Sequence, residues 1–311
     1  MPPCPLTGAP AAERLQWIPA KLLHDLWRIG TRTDPAPLRR DSGRIGLYRS
    51  PCGLAFFHPA FPGSAAFYRS LYGRTGAHEG VAAHAATRGD FAVATALLRP
   101  GDRVLEVGAG HGGFARILPE GVRYLGLEPY GEVPPGGPPV LPETAEEHAL
   151  SHAGAYDMAC AFQVLEHAAD PLGLARAMVE CLRPGGLLVA AMPIWPSPHT
   201  DLPNNLVNLP PHHLSWWDEG ACRALAAALG LEVVRVAPVP AYPLQAPLLW
   251  TWRLCPVRTR PGRYVAPLWR WHLAIAGAMW AGQWAARRFG MPRGAPPPAV
   301  DIVLVARKPG G

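Results

Sequence analysis

Short apolar runs alternate with helical patterns over the second and third hundred residues of the chain. Val104, Leu105 and Val107 form one such run, which ends in glycines and is followed by a helical pattern. Residues 187–192 are apolar at almost every position, as a central parallel strand should be. The pattern predicts strands over residues 103–108, 124–129, 140–141, 157–162, 187–192, 231–236 and 301–308, and helices over residues 111–118, from 143 onward, 170–181 and 219–229.

The first hundred residues show apolar positions at helical spacing in three places. Leu22, Leu23 and Leu26 belong to the first, which continues through residue 29. Residues 67–72 and 91–98 give the second and third, and the third ends before the first strand of the alternating region. Apolar positions at this spacing mark a helix face that is buried, so we predict three short helices here.

Three glycines follow the strand over residues 103–108 at alternate positions. At Gly108, Gly110 and Gly112 the backbone can approach a ligand where a side chain would clash, and N–H groups at the next helix start face that ligand. Glu106 lies two residues before the first glycine, where a dinucleotide fingerprint requires no acid. Glu128 ends the next strand, and an acid there can accept hydrogen bonds from both ribose hydroxyls.

The Glu-x-Gly-x-Gly-x-Gly pattern over residues 106–112 closely resembles motif I of the class I S-adenosylmethionine (SAM) methyltransferases. Gln-Val-Leu-Glu-His at 163–167 resembles the family's motif after strand four, and Leu-Arg-Pro-Gly-Gly at 182–186 follows in the expected order. The resemblance covers residues 102 to about 238 and the last strand. It implies an α/β fold with a doubly wound, seven-stranded, mostly parallel Rossmann-like sheet, its last strand antiparallel between strands five and six, and SAM as cofactor.

The resemblance also implies roles for single residues. Glu106 contacts the cationic methionine end of the cofactor, directly or through water, while Phe162 and Gln163 line the cofactor cleft. Glu128 takes the ribose role; the alternative is a solvated acid at a strand end. Thr144 is predicted near the adenine. The predicted cofactor-binding residues are Glu106, Gly108, Ala109, Gly110, Gly112, Glu128, Pro129, Thr144, Phe162 and Gln163.

A long loop over residues 194–217 follows the fifth strand and contains Pro210-Pro211-His212-His213. Loops after parallel strands carry function because ligands bind at the carboxyl ends. An alcohol acceptor needs a general base near neutral pKa, so we predict His212 or His213 in that role. The alternative is that one of them anchors the loop by a hydrogen bond. We expect the two adjacent side chains to point apart.

The predicted activity is transfer of a methyl group from SAM to an oxygen or nitrogen of a small-molecule, glycan or lipid-linked acceptor. Catalysis would rest mainly on positioning the acceptor in line with the sulfonium methyl. A non-catalytic SAM-binding protein is one alternative. A nicotinamide-dependent oxidoreductase is another, and it fits less well because Glu106 precedes the glycines and no second catalytic domain follows the last strand.

Composition adds limits on the compartment and on metals. The chain has 311 residues and is 49% hydrophobic and 17% charged. It shows no secretory signal and no apolar run long enough to span a membrane. These features predict a cytoplasmic protein with reduced thiols. Cys4 and Cys52 resemble halves of the degenerate zinc knuckle that precedes many bacterial methyltransferase domains; the alternative is two unrelated cysteines. Two thiolates cannot fill a tetrahedral site, so we predict no zinc there, and no metal ligands elsewhere.

We predict three regions: a knuckle-like and helical cap region (1–99), a methyltransferase domain (100–238 plus 299–311) and a helical insertion (239–298). The insertion contains eight arginines and no acid, and it is rich in tryptophan. Such helices can lie in a membrane interface, which would make the protein membrane-associated, or they can cap the domain and build the acceptor pocket. Nucleic acid is not expected as a partner, because the motifs of DNA methyltransferases are absent after strand four.

Overall fold

A seven-stranded sheet forms the centre of the fold in a computed structural model, which describes residues 1–75, 77–130, 136–267, 269–293 and 297–310. Its strands are β4 (Arg103–Val107), β5 (Arg123–Leu127), β6 (Val140–Leu141), β7 (Tyr156–Phe162), β8 (Leu182–Pro193), β10 (Glu232–Pro240) and β11 (Ala299–Arg307). Their order in the sheet is β10-β11-β8-β7-β4-β5-β6, and β11 runs antiparallel between β8 and β10 while the pairs from β8 to β6 are parallel. The predicted fold class is therefore confirmed.

The α-helices flank this sheet or extend from it. They are α1 (Ala20–Gly30), α2 (Ala65–Thr75), α3 (Ala77–Ala83), α4 (Gly89–Thr95), α5 (Ala145–His152), α6 (Pro171–Cys181), α7 (Pro198–Asp201), α8 (Glu219–Ala228), α9 (Ala246–Leu254) and α10 (Trp269–Phe289).

Alternate residues of the central strands enter two hydrophobic cores, one on each face of the sheet. Leu105 and Leu188 belong to the core that also contains buried residues of α5, α6 and α8. Val104 and Val189, their chain neighbours, belong to the other core together with Phe91 of α4. Because both faces are covered, these strands read as continuous apolar runs in the sequence, which is why their positions could be predicted.

The predicted helix over residues 111–118 is wrong. The structure has only a short 3-10 helix there, Phe114–Ile117, preceded by a turn in which Gly112 has φ +68°. Leu118 is extended and precedes a proline, and the residue before proline is disfavoured in the helical region. Backbone constraints at both ends therefore leave too few residues for a full α-helix.

A second, four-stranded antiparallel sheet in the N-terminal region was not predicted. Its strands are β1 (Glu13–Pro19), β2 (Arg44–Arg49), β3 (Ala55–His58) and β9 (Ser215–Trp216), in the order β1-β2-β3-β9. Four consecutive residues of β2 are buried, so β2 shows no alternation of polar and apolar positions. The sheet also takes its last strand from the loop after β8, a pairing between segments far apart in sequence.

The two cysteines of the knuckle-like region lie close together in the structure. The Sγ atoms of Cys4 and Cys52 are 3.9 Å apart, and both thiols are free. In the part of the chain that the structure describes, the potential metal ligands that gather in groups of three or more are histidines elsewhere, not these cysteines. The expectation that this segment carries no zinc remains a prediction.

The insertion before the last strand folds as two helices, α9 and α10, which pack against each other. Gly282 of α10 allows the close approach, because a Cβ there would lie 2.5 Å from the Thr251 hydroxyl oxygen of α9. Ile275 and Ala278 pack with Leu202 of the loop after β8 in a small core. Among the helices of the described residues, none combines the length and hydropathy needed to cross a membrane.

Candidate cofactor and acceptor site

A cavity of about 930 Å³ opens at the carboxyl ends of β4, β5, β7 and β8. Ligands bind at this edge in doubly wound sheets. Its wall contains nine of the ten predicted cofactor-binding residues and both predicted catalytic histidines. The predicted residues in the wall are Glu106, Gly108, Ala109, Gly110, Glu128, Pro129, Thr144, Phe162, Gln163, His212 and His213. Gly112 does not line the cavity; a Cβ there would lie 2.1 Å from Cγ of Pro138.

The glycine turn after β4 requires glycine for steric and conformational reasons. Gly108 and Gly110 have φ values of +71° and +52°, in the left-handed region that side chains disfavour. A Cβ on Gly108 would approach Cγ2 of Val164 to 2.5 Å. The N–H groups of Gly108 and Ala109 both donate to the carbonyl of Leu127 at the end of β5. The turn is therefore fixed against the neighbouring strand.

Glu128 lies directly after β5 and is tied to the glycine turn. Its Oε2 accepts a hydrogen bond from the Gly110 N–H at 3.0 Å, and its Oε1 accepts one from the Tyr130 N–H at 3.2 Å. The carboxylate is half-buried and lines the cavity. Each oxygen has a second lone pair, so the group can still accept bonds from a ligand diol.

Glu106 is an almost fully buried carboxyl in the cavity wall. Burial raises its pKa to about 8, although the Tyr124 hydroxyl donates a hydrogen bond to its Oε2, which lowers the pKa. A buried carboxylate without a full counter-charge is costly. A cationic ligand group beside Glu106 would supply that charge.

The other predicted cofactor residues have structural partners of their own. Thr144 caps α5: its hydroxyl accepts the Glu147 N–H at 3.2 Å, and the Glu147 carboxylate accepts the Thr144 N–H at 2.9 Å. The Phe162 ring packs against the Phe91 ring at 4.7 Å. Gln163 has φ +62° and donates from Nε2 to Oδ1 of Asp301 at 3.2 Å. Their contacts with a cofactor remain predictions.

A buried charged network beside the cavity was not predicted from the sequence. Arg88 is 4% exposed and donates from Nε to Oδ1 of Asp90 at 3.0 Å, and its guanidinium lies 3.9 Å from the centre of the Phe91 ring. Asp301, at the start of β11, is also buried, and burial raises its pKa to about 7. No motif marks these residues; Arg88 immediately precedes α4 and Asp90 lies in its first turn, and only the fold brings them near Asp301.

His212 and His213 lie side by side in the cavity wall. Their backbone N–H groups both donate to the Leu209 carbonyl, and their rings stack with centroids 4.6 Å apart. The expectation that they point apart is therefore wrong, because the tight turn after residue 209 directs both to the same side. Burial lowers the pKa of both imidazoles well below the usual value, so both are neutral near pH 7.

The histidine pair has two further neighbours from the segment after β7. The His167 ring centroid lies 4.5 Å from that of His212 and 4.7 Å from that of His213. Glu166 is completely buried beside them, and its Oε1 lies 3.7 Å from Nε2 of His167 and 3.9 Å from Nε2 of His213. The carboxyl ends of β7 and β8 thus bring together four polar side chains that were predicted as separate features or not at all.

A family model described as a methyltransferase domain matches residues 81–236, which is half of the chain. The chain belongs to this methyltransferase family. The resemblance seen in motif I and in the motif after β7 is confirmed, and SAM is the cofactor that membership implies. The glycine turn, the buried Glu106 and the strand-end Glu128 fit such a ligand, which carries a diol and a cationic end.

Curated relatives share part of the chain. It is 35% identical over 164 residues to an uncharacterized methyltransferase of Mycobacterium leprae, covering 50% of this chain and 58% of that protein. It is 38% identical over 98 residues to an Escherichia coli ubiquinone biosynthesis O-methyltransferase, covering 28% of this chain and 40% of that protein. The chain therefore spans only about half the length of the curated relatives it matches.

The solved structures that the chain matches are more distant in sequence. The cyclase SpnF is 20% identical with a TM-score of 0.49, covering 81% of this chain and 98% of that one. A SAM-dependent methyltransferase from Archaeoglobus fulgidus is 15% identical with a TM-score of 0.48, covering 78% and 98%.

We expect SAM affinity to rise with pH because of Glu106. With a pKa of about 8, the free carboxyl is protonated below that pH, whereas the cationic end of SAM favours the carboxylate; binding then expels a proton. Affinity should increase by up to about tenfold per pH unit between about pH 6 and 8 and then level off. Calorimetry in two buffers with different ionisation heats measures the proton release. Glu106→Gln should bind weakly and independently of pH; a flat wild-type profile would contradict the assignment.

Proposed function

We propose that the protein transfers a methyl group from SAM to an oxygen or nitrogen of a small-molecule, glycan or lipid-linked acceptor. The observation that carries this proposal is one cavity with two chemically different ends. Glu106, the glycine turn and Glu128 lie on or after β4 and β5, whereas the histidines follow β7 and β8, the neighbouring strands on the other side of β4. Family membership supports the donor, and the polar second end supports an acceptor that is itself polar.

In this proposal, the cofactor end acts by binding and orientation. Glu128 accepts hydrogen bonds from the ribose hydroxyls, and Glu106 balances the charge of the methionine end. Ala109, Pro129 and Phe162 exclude water beside the adenosine. Transfer then depends on holding the acceptor atom in line with the sulfonium methyl, for which effective molarity supplies much of the acceleration.

At the acceptor end, His212 or His213 is our candidate for a general base. Both imidazoles are uncharged near pH 7, so either can accept a proton. For both rings, Nδ1 lies within hydrogen-bond distance of an oxygen of the loop, which leaves Nε2 for a ligand. Their strongly lowered pKa values make them weak bases, so proton removal from an acceptor hydroxyl would need further help.

Product analysis tests this function directly. Incubation of the purified full chain with labelled SAM and a panel of hydroxyl- and amino-bearing acceptors should yield S-adenosylhomocysteine and a labelled product. Tight SAM binding without turnover on any acceptor class would favour the non-catalytic alternative. Calorimetry with SAM and with NAD distinguishes the methyltransferase from the oxidoreductase alternative, because an oxidoreductase of this kind must bind NAD.

We also propose that the insertion contacts the surface of an anionic membrane. Trp269, Leu273, Trp280 and Trp284 lie on one face of α10, and their side chains are 64%, 64%, 75% and 57% exposed. Arginines are the only charged residues of the insertion, which complements anionic lipid. An exposed aromatic face with basic flanks suits the lipid interface better than water.

Liposome flotation at low salt is the test. Wild-type protein should float with phosphatidylglycerol vesicles and much less with neutral vesicles, and high salt should weaken the binding because it screens the arginines. Trp280→Glu combined with Trp284→Glu should abolish flotation, whereas Leu150→Glu, an 88% exposed control elsewhere, should not. Failure of the wild-type protein to float would contradict membrane binding. A wild-type dimer that the tryptophan variant abolishes would show that this face of α10 binds a second copy of the chain instead.

A further inference from the structure

The histidine cluster and Glu166 have the composition of a metal-ligand set. One ring nitrogen from each of His167, His212 and His213 lies within 4.8 Å of one from each of the others. The residues come from two loops, after β7 and after β8, at the cavity edge of the sheet. No metal ligands were predicted from the sequence because these residues are about 45 positions apart.

Hydrogen bonds favour the same tautomer in all three imidazoles. Nδ1 of His167 lies 2.6 Å from the His212 carbonyl, Nδ1 of His212 lies 2.7 Å from the Val207 carbonyl, and Nδ1 of His213 lies 2.9 Å from Oδ1 of Asn208. Each of these oxygens is an acceptor, so each Nδ1 carries the proton and each Nε2 presents a lone pair. Outer oxygen acceptors of this kind fix the tautomer of metal-ligating histidines.

Glu166 supplies the second, independent observation. Its side chain is fully buried, and no hydrogen bond from the described residues reaches either carboxylate oxygen. A buried carboxyl without partners is expensive. Because Oε1 is within 4 Å of the Nε2 atoms of His167 and His213, a cation among these groups would satisfy the carboxylate and the imidazoles together.

We propose that His167, His212, His213 and Glu166 bind one first-row divalent transition ion of the zinc type. Imidazole nitrogens suit zinc, iron and cobalt, whereas magnesium and calcium select oxygen ligands. Ligand nitrogens about 2.1 Å from one tetrahedral ion lie about 3.4 Å apart, so binding draws the rings closer than they are in the protein alone. The three histidines line the cavity, so an acceptor hydroxyl can approach from that side as a fifth ligand, because zinc-type ions can expand from four to five ligands.

The chemical consequence rests on the proposed methyl transfer, whereas metal binding does not. A bound divalent cation lowers the pKa of a coordinated hydroxyl. The three histidines would then act as ligands rather than as a general base, and we expect the acceptors to be hydroxyl compounds. The methyl group moves from the sulfonium to the acceptor oxygen, and the hydroxyl proton leaves to water.

Cobalt titration of the chelator-treated full chain tests the site. Wild-type protein should bind one equivalent of Co²⁺ with visible d–d absorption, Zn²⁺ should displace it, and excess Mg²⁺ should not. His213→Ala and Glu166→Gln should each weaken binding by more than about a hundredfold. His58→Gln, which replaces an exposed histidine outside the cluster, should bind as wild type does. Near-ultraviolet circular dichroism checks that the variants are folded.

Asn208→Ala is a milder variant for the case in which the others do not fold. It removes only the acceptor for Nδ1 of His213 and should weaken Co²⁺ binding by about 10–100-fold. Absence of the Co²⁺ absorption in wild type, or equal affinity in all variants, would overturn the site. Turnover that survives chelation would overturn only the catalytic role of the ion, and failure of turnover with metal bound would overturn the methyl transfer and leave the site standing.

Discussion

Gly110→Val should lower SAM affinity by at least about a hundredfold while the protein stays folded. Gly110 lines the cavity with φ +52°, so a branched side chain would both strain the backbone and occupy space beside the cofactor. Its N–H also donates to Glu128, and the substitution would disturb the residue proposed to hold the ribose. Isothermal titration with SAM measures the loss, and the unfolding temperature reports the strain.

Gly154→Val is the matched control for this substitution. Gly154 also has a positive φ, +66°, but it is exposed at the end of α5 and does not line the cavity, and a Cβ at this position would have no atom within 4 Å. The two variants should share a similar stability cost of about 1–3 kcal/mol, and only Gly110→Val should lose SAM. Wild-type affinity in folded Gly110→Val would exclude the glycine turn as the cofactor site.

Asp90→Ala should destabilise the protein by about 3–5 kcal/mol, because it leaves the Arg88 guanidinium buried without its main partner. Asp90 also accepts a hydrogen bond from the Phe91 N–H at 3.0 Å, which adds to the loss. Urea unfolding followed by circular dichroism measures the free energy of unfolding.

Two comparisons distinguish the stability cost of an unpaired buried charge from the cost of losing one contact. The double substitution Arg88→Met with Asp90→Leu removes both charges and should cost less than Asp90→Ala alone. Glu219→Ala breaks an exposed ion pair with Arg223 and should cost less than about 1 kcal/mol. If Asp90→Ala lowers the free energy of unfolding no more than Glu219→Ala does, then removing Asp90 does not leave Arg88 as an uncompensated buried charge.

Much of the candidate cofactor site could be predicted because it is local in sequence. Glu106, Gly108 and Gly110 lie within five residues, at the end of a strand whose apolar pattern is unambiguous. Their relative positions follow from backbone geometry, since only glycine adopts these turn angles freely. Asp218 and Asp170 directly precede α8 and α6 in the sequence and cap these helices in the structure, so these two helix starts are also local features.

The N-terminal sheet and the helix after the glycine turn show where local patterns fail. β2 is buried along four residues, and β9 has only two residues, so neither shows the period of a half-exposed strand. Residues 114–118 have apolar positions at helical spacing, but the neighbouring Gly112 and Pro119 prevent a full helix. Tertiary pairing and backbone constraints overrode the hydrophobic pattern in these segments.

The central sheet, the glycine turn and the family could be predicted from the amino-acid sequence, because buried parallel strands and glycine-dependent turns impose requirements on neighbouring residues. Which distant side chains share a site is visible only in the folded chain. Asp301 lies near enough to the Arg88–Asp90 pair to interact electrostatically with it, and Glu166 and His167 lie beside the His212–His213 pair. No local sequence pattern indicates either arrangement. The histidines and Glu166 lie together because of strand order, since β7 and β8 are neighbours and the loops after parallel neighbours emerge at the same edge.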